Sequence, residues 1–541
     1  MFPNTFIDGN NHLTSLSEYY RHSFIPAMTL QLLKSFFVYN ELEQSILSDY
    51  GDPPFILKHS TIRNFAISPT LSLKLRVFQS PHPKGHKLPS LPLIFLIHGL
   101  GGQLNQFQYL IDNFSHFSEV LAIDLPGHGR SEYKSDWQIY EPDHLVKVLE
   151  TVLLACVPES GREVVLVGHS MGCILASKLA NKLGIRCVGL VGICPPGGTP
   201  EDKKKIQDLQ RVLYYMPSFI FNMFRAVDRA GGLHSKSVSR MVSPATESDE
   251  LRVKQIRWNL QVNTNAWIRT AYSLRTPTRQ EWHELDMPVY MIGAEDDQVT
   301  SPANIEVIRS WLGPKSLDIE HTIIHDAGHA CIIEKPEVIC GLISDFISKS
   351  IDVKLSLGWQ LAFLASKMDK WSLKNEDKWR RVQSVSARLE GTFFRGMKTL
   401  RQDDETHSPA RLEEAYPDIT DVIDISREAP PYDPTTFQRI RYHKFPTVSK
   451  LPPTREEVKA FISLVDNDIL AAHKQEATEK EIVVAVHCHY GFNRTGFFLC
   501  CYMIERLGFS IKQAIQAFQD ARDPGIKHSH FIDELHVRYE L

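Results

Sequence analysis

Long apolar runs are missing from this chain. The most hydrophobic N-terminal stretch, Ile25 to Tyr39, is interrupted by Lys34 and falls short of the ~20 residues that cross a bilayer, so no stable membrane span is expected. The opening residues MFPNTFIDGNN carry no basic segment followed by an apolar one, which argues against a secretory signal. A disulfide framework is missing too: the nine cysteines are an odd number, scattered from Cys156 to Cys501. There are no CxxC pairs to suggest zinc, and the pattern calls for no metal or other cofactor. Reduced thiols fit a cytoplasmic or nuclear protein. Charge of one sign is also lacking. A net charge of −4 exerts no global pull on nucleic acid or acidic membrane, so any polyanion would need a local site. Repeats and low-complexity tracts are absent, and no feature specifies an oligomeric state.

What is present suits two ordinary globular domains. Single cores stop growing near ~250–300 residues, and this chain has 541, of which 43% are hydrophobic and 23% charged. Residues 1–60 read as a helical extension, with Met28, Leu32, Leu33, Phe36 and Phe37 close to a helical period. From Leu93 the short apolar runs LIFLI, VLAID, VVLVG, CVGLVGI, VYMIG and IEHTII alternate with helical or loop segments. That pattern predicts a parallel sheet covered on both faces, assigned to residues 61–350. The alternation lapses into an aromatic-rich helical insertion at about 197–285, which reads as a cap. A polar connection at 351–378 then leads to a second α/β domain, 379–541, with strands DVIDI and EIVVAVH. The Pro-rich stretch Ser80–Pro92 reads as a surface loop.

The first domain carries a serine site. Gly168-His169-Ser170-Met171-Gly172 follows the strand VVLVG and precedes a helix, the strand–turn–helix context in which G-x-S-x-G presents a nucleophile on a strained turn. The serine needs a base, and the base an orienting acid, in the chain order Ser, Asp, His. GAEDDQVTSP places Asp296 just past a strand. The spacing from Gly293 favours it over its neighbour Asp297. HDAGH places His329 after the next strand, ahead of the rival His325. His98-Gly99-Leu100-Gly101-Gly102 lets the backbone approach a ligand, so the N–H groups of Leu100 and Met171 are the expected oxyanion donors. Together HGLGG, DLPGHGRS, GHSMG, GAEDDQVTSP and AGH resemble the α/β-hydrolase superfamily over roughly 60–350. The cap residues Tyr214, Tyr215, Met216, Phe219, Ile220, Phe221, Met223 and Phe224 either pack the cap onto the sheet or meet an acyl chain or bilayer, which leans toward an apolar acyl ester.

The second domain carries a cysteine site. His487-Cys488-His489-Tyr490-Gly491-Phe492-Asn493-Arg494-Thr495-Gly496 links a buried strand to a helix. A Cys, five residues and an Arg at such a junction curl backbone N–H groups around one phosphate, so His489 to Thr495 form the expected phosphate loop. Arg494 supplies a two-point grip, Thr495 a hydrogen bond to sulfur, and the positive surroundings favour a Cys488 thiolate that attacks phosphorus. Phosphotyrosine cleavage expels a phenolate of pKa ~10 and normally needs an acid, yet Arg441 to Glu456 contains no Asp. A phosphoanhydride would expel a phosphate group of pKa ~6, for which an acid is dispensable. Glu456 or Asp523 could substitute from another direction.

With Asn before the Arg, the loop resembles the RNA 5′-triphosphatase branch of the cysteine phosphatases, as in the N-terminal domain of animal mRNA capping enzymes. FFRGMKTL, DVIDISREAPPYDP, LPPTREEVKAFI and ARDPGIKHSHFIDELHVRY extend the resemblance over roughly 379–541. It implies a dual-specificity-type phosphatase of the cysteine phosphatase fold, with an RNA 5′ end or nucleotide as phosphorylated substrate. Arg522 and Lys527 fall at the family's basic positions and could hold outer phosphates or be surface charges, while Asp523 stands where the family usually has Pro. No guanylyltransferase-like lysine motif is present, so the chain is not expected to complete a cap. The reading is therefore a bifunctional hydrolase. Its rivals are a phosphoprotein or phosphoinositide phosphatase, and an idle first domain that only positions the second.

Overall fold

A computed structural model describes residues 39–158, 161–366, 373–448, 450–476 and 481–541. The periodic residues Met28 to Phe37 lie outside the described residues. From Asn40 onward the extension forms two short helices, Glu41–Asp49 and Pro54–His59. Between them Asp52 is buried among three arginines, 2.9 Å from Arg76, 2.8 Å from Arg130 and 2.7 Å from Arg257, and so ties the extension to the sheet and to the cap.

The first domain is built on eight strands: β1 Ser60–Ser68, β2 Leu71–Ser80, β3 Leu93–Ile97, β4 Val120–Ile123, β5 Val164–His169, β6 Cys187–Ile193, β7 Val289–Ala294 and β8 Thr322–Ile324. Their order is β1-β2-β4-β3-β5-β6-β7-β8. β1 and β2 form an antiparallel edge, and β3 to β8 pair in parallel. β3, β5 and β7 are buried along their whole length, as expected of predominantly apolar strands covered on both faces. Six helices from Pro200 to His283 intervene before β7 and make the cap.

The second domain holds β9 Val385–Arg388, β10 Phe394–Met397, β11 Asp421–Asp424, β12 Arg441–Lys444 and β13 Val484–His487, in the order β12-β11-β13-β10-β9. β13 lies at the centre, in parallel with β10 and β11. In both sheets the candidate nucleophile follows the C-terminal end of a central strand, where open α/β sheets expose their crevice.

Where it is described, the expected linker is not an exposed tether; its residues 367–372 lie outside the described residues. Residues 357–366 form a helix with Gln360 buried, and a second helix, Leu373–Arg381, seats a buried Trp379 whose Nε1–H donates to Thr399 O at 3.0 Å. A local composition rich in charge marks the outer face of such helices and says nothing of the inner one.

The two domains also meet directly. The closing helix Ser529–Glu540 packs against Pro336–Phe346, where a Cβ added at Gly341 would lie 2.5 Å from Val537, so only glycine permits this approach. Within the seam Asn113 Nδ2 donates to the buried Asp533 Oδ2 at 2.8 Å. Burial pushes the Asp533 carboxyl up to about 7; the Asn113 hydrogen bond and His536 lower it, and Glu337 raises it. Cys340 on the facing helix, with Asp112 near it, completes the surroundings. A carboxyl raised on docking stabilises the seam fully below its ordinary value of 3.8, and that contribution is lost as pH rises through about 7. His536, which burial lowers but Glu540 holds above its usual value, acts in the same direction. Asp533→Asn should therefore flatten the decline of the thermal midpoint between pH 5.5 and 8 by about 2–4 °C. Parallel wild-type and variant curves would exclude this role.

Candidate active sites

Ser170 follows β5 and precedes the helix Met171–Leu183 with φ +55°, a conformation that an L-residue holds only under constraint. Its N–H donates to Ile193 O at 2.8 Å, which fixes the turn against β6. His329 lies buried on the loop after β8. Leu100 and Met171 flank the serine from the β3 loop and the helix start, and neither N–H enters a turn or loop hydrogen bond among the described residues.

The acid differs from the sequence expectation. His329 Nδ1 donates to Asp297 Oδ2 at 2.8 Å, and Asp296 is engaged elsewhere. Asp297 is buried and also accepts from Thr300 Oγ1, Thr300 N and Val299 N, each at 2.8 Å. Burial alone would raise its carboxyl, but His329 and these donors bring it down to about 2, so it stays ionised at neutral pH. Asp296 points the other way and accepts from Ser243 Oγ at 2.5 Å. The next link is Glu334, which accepts from Ser243 N at 2.7 Å and Gly328 N at 2.9 Å. Asp296 and Glu334 thus clamp the returning cap segment to the histidine loop. Counting from Gly293 failed because the turn after β7 rotates consecutive side chains to opposite sides.

His169, Cys194 and His329 bring potential ligand atoms within 4.8 Å of one another. Two of these groups are already engaged, since His169 Nε2 bonds His329 O at 2.8 Å and His329 Nδ1 bonds Asp297. His325 instead pairs with Glu295 on the surface.

Over the serine, cap residues Leu213, Ile268 and Ala271 are buried against Leu100, Phe221 and Trp267. Phe221 and Trp267 stack with ring centroids 4.9 Å apart. Other cap aromatics do not pack inward: Phe219 and Phe224 are 59% and 56% exposed. The cap has one inward and one outward apolar face.

In the second domain β13 delivers His487 and Cys488, and the loop runs into the helix Asn493–Leu507. Its carbonyls are gripped from outside: Thr399 N donates to His489 O at 3.1 Å, and Arg522 donates to Tyr490 O at 2.8 Å and Gly491 O at 2.6 Å. With carbonyls turned out, the loop's N–H groups turn in, the arrangement that suits an anion. Gly491 has φ +71°, and a Cβ there would strike Met397 O at 2.0 Å, so the loop closes only with glycine. Gly491 N–H donates to Cys488 Sγ at 3.3 Å.

Burial would raise the Cys488 thiol, but Arg494, Thr495 and the Gly491 N–H outweigh it and leave the thiol below its usual value. The Thr495 hydroxyl is fully buried and has no other partner among the described residues, so it is left for the sulfur. Arg494 Nη1 donates to Ile425 O and Thr447 O, both at 3.1 Å. One edge of the guanidinium is anchored and the other is left to a ligand.

Arg522 is neither a surface charge nor an outer-phosphate ligand. It is fully buried and donates to four carbonyls, including Gly396 O at 3.2 Å and Gln383 O at 3.0 Å. It braces the loop from behind. Asn493 likewise serves structure, its Oδ1 accepting from Lys527 N at 2.7 Å and His528 N at 3.1 Å. Lys527 does line the cavity above Cys488, with its ammonium 3.6 Å from the Phe492 ring centroid.

That cavity has a volume of 420 Å³. Among the described residues that line it, Glu428 is the one carboxylate; neither Glu456 nor Asp523 is among them. Asp424, behind the loop, is committed to Lys444 Nζ at 2.7 Å and Tyr442 OH at 2.9 Å. The sequence reading missed Lys378 and Lys450, which also face the cavity. Their only signal was the basic character of segments assigned to the linker and a loop.

Comparison with known proteins agrees with this division. Residues 92–336 match the alpha/beta hydrolase fold family, and residues 403–540 match the dual specificity phosphatase catalytic domain. The first part is similar to Lipid droplet hydrolase 1 of Saccharomyces cerevisiae, 26% identical over 53% of this chain and 83% of that protein. The second is similar to the mRNA-capping enzyme of Danio rerio, 42% identical over 16% of this chain and 13% of that one. It is also similar to a tyrosine-protein phosphatase of Autographa californica nuclear polyhedrosis virus, 28% identical over 25% of this chain and 78% of that protein. Among the described residues, no helix is long and apolar enough to cross a membrane.

Proposed function

We propose that this chain, a hydrolase joining an α/β-hydrolase domain to a dual-specificity-type phosphatase domain, cleaves apolar acyl esters at Ser170 and removes the terminal phosphate of 5′-polyphosphate RNA or nucleotide ends at Cys488. At the first site Ser170 Oγ attacks the ester carbonyl and passes its proton to His329, which Asp297 holds through Nδ1. Leu100 N–H and Met171 N–H receive the developing oxyanion. The inward apolar face of the cap supports an acyl group there, and the name of the yeast relative points the same way.

At the second site the Cys488 thiolate attacks the terminal phosphorus, and the bond from that phosphorus to the bridging oxygen breaks. A diphosphate end leaves. Arg494 and the loop N–H groups hold the transferred phosphoryl group until water cleaves the thiophosphate bond. The observation that carries the substrate class is a strongly cationic cavity that, among the described residues, holds no aspartate to protonate a phenolate.

The test compares kcat/KM for phosphate release from a triphosphate-ended oligonucleotide, phosphotyrosine peptide and phosphoinositide with one preparation. Triphosphate should lead by at least ~10²-fold, because the leaving groups differ by about 4 pKa units. Tenfold faster phosphotyrosine turnover would overturn this and favour a phosphoprotein substrate, as the name of the viral relative would suggest. Ser170→Ala should abolish p-nitrophenyl ester hydrolysis and leave phosphate release nearly unchanged. Ester hydrolysis that persists at the wild-type rate would exclude Ser170 as nucleophile.

A further inference from the structure

The cavity above Cys488 is not made by the phosphatase domain alone. Lys84, on the loop between β2 and β3 of the first domain, lines it, together with Leu361 and Leu364 of the helix Leu357–Ser366. This loop is held in place. His82 Nε2 bonds Gln360 Oε1 at 2.9 Å, and Lys84 N donates to His82 Nδ1 at 2.8 Å. Gln360, itself buried, donates onward to Phe117 O and Lys354 O, both at 2.7 Å. The Pro-rich stretch expected to be a plain surface connection therefore carries one cation to the other domain's site.

The hollow continues along the seam. A second cavity of 260 Å³ shares Lys84, Lys527 and His528 with the first and reaches His82 and His116. Among the described residues lining the first cavity, the cations Lys84, Lys378, Lys450, Arg494 and Lys527 outnumber the one carboxylate, Glu428. Crowded like charges destabilise one another unless an anion lies between them. These cations also reach neighbouring groups: burial first, then His530, Lys450, Lys378 and Lys84, drive His528 down to about 4. Burial, with Lys378 and Arg522, also holds Lys527 below its usual value.

We propose that Lys84 of the hydrolase domain, with Lys378 and Lys527, forms a second anion subsite across the domain seam that takes the inner phosphates of a polyphosphate end whose terminal phosphate lies in the Cys488 loop. The proposal rests on the polyphosphate reading above and deepens it. It also gives the fusion a purpose, because the phosphatase domain by itself lacks Lys84.

The experiment uses the full chain and measures inhibition of p-nitrophenyl phosphate hydrolysis by inorganic tripolyphosphate and by orthophosphate. In the wild type, tripolyphosphate should inhibit at a concentration at least ~10-fold lower than orthophosphate. Lys84→Glu should reduce that ratio by about tenfold, Lys84→Arg should retain it, and Lys87→Glu on the same loop should leave it unchanged. Ester hydrolysis in each preparation reports folding. An unchanged ratio in Lys84→Glu, or an equal loss in Lys87→Glu, overturns the subsite. A normal ratio response without any cleavage of triphosphate RNA or nucleotides would instead sink the substrate reading and leave the subsite standing.

Discussion

Asp297→Asn should lower kcat for short p-nitrophenyl esters by on the order of 10⁴-fold with KM nearly constant, whereas Asp296→Asn should cost less than about tenfold. The two residues are adjacent, and their environments separate them. Asp297 Oδ2 accepts the His329 Nδ1 proton at 2.8 Å, and three donors from Val299 and Thr300 keep it aligned and ionised. An asparagine there presents an uncharged amide that no longer stabilises an imidazolium and can turn its NH₂ toward Nδ1, favouring the wrong tautomer. Asp296 bonds Ser243 on the cap side, a contact that an asparagine oxygen can still accept. If Asp296→Asn proved the more damaging, the acid would have been assigned wrongly and the cap clamp would be the catalytic element.

Cys488→Ser should abolish phosphate release, a loss of at least ~10³-fold, because a serine hydroxyl is not ionised at neutral pH and the site offers no base to ionise it. Arg494→Lys should cost about 10²–10³-fold, since an ammonium cannot keep the anchor to Ile425 O and Thr447 O and also grip two phosphate oxygens. The thiol lies below its usual value, so the acidic limb of kcat/KM should rise below the ordinary thiol range near 9. Thr495→Val removes one group that favours the thiolate and should move this limb to higher pH. A limb that stays in place would mean that the hydroxyl contributes nothing to the ionisation.

Much of both sites can be read locally, because strand–turn–helix junctions are encoded by contiguous residues. Ser170 and Cys488 each follow an apolar strand and open a helix. Gly491 stands at a position whose geometry admits no side chain. Other assignments failed for stated reasons. Asp296 and Asp297 are indistinguishable by spacing, and only the direction of the turn after β7 separates them. Arg522 has the charge of a surface ligand, yet it is fully buried behind the loop, where carbonyls from three separate segments converge.

The sequence by itself determined two strand–turn–helix junctions that carry Ser170 and Cys488, a Ser-Asp-His order and a Cys-to-Arg loop, because each depends on neighbours along the chain. The tertiary structure decided everything that depends on distant segments meeting. It selected Asp297, turned Arg522 into a brace, packed the supposed linker against both domains and brought Lys84 to the Cys488 cavity. The physical reason is common to these cases: a side chain's charge is a property of its residue, but its burial, its partners and the direction it faces are set by segments tens to hundreds of positions away.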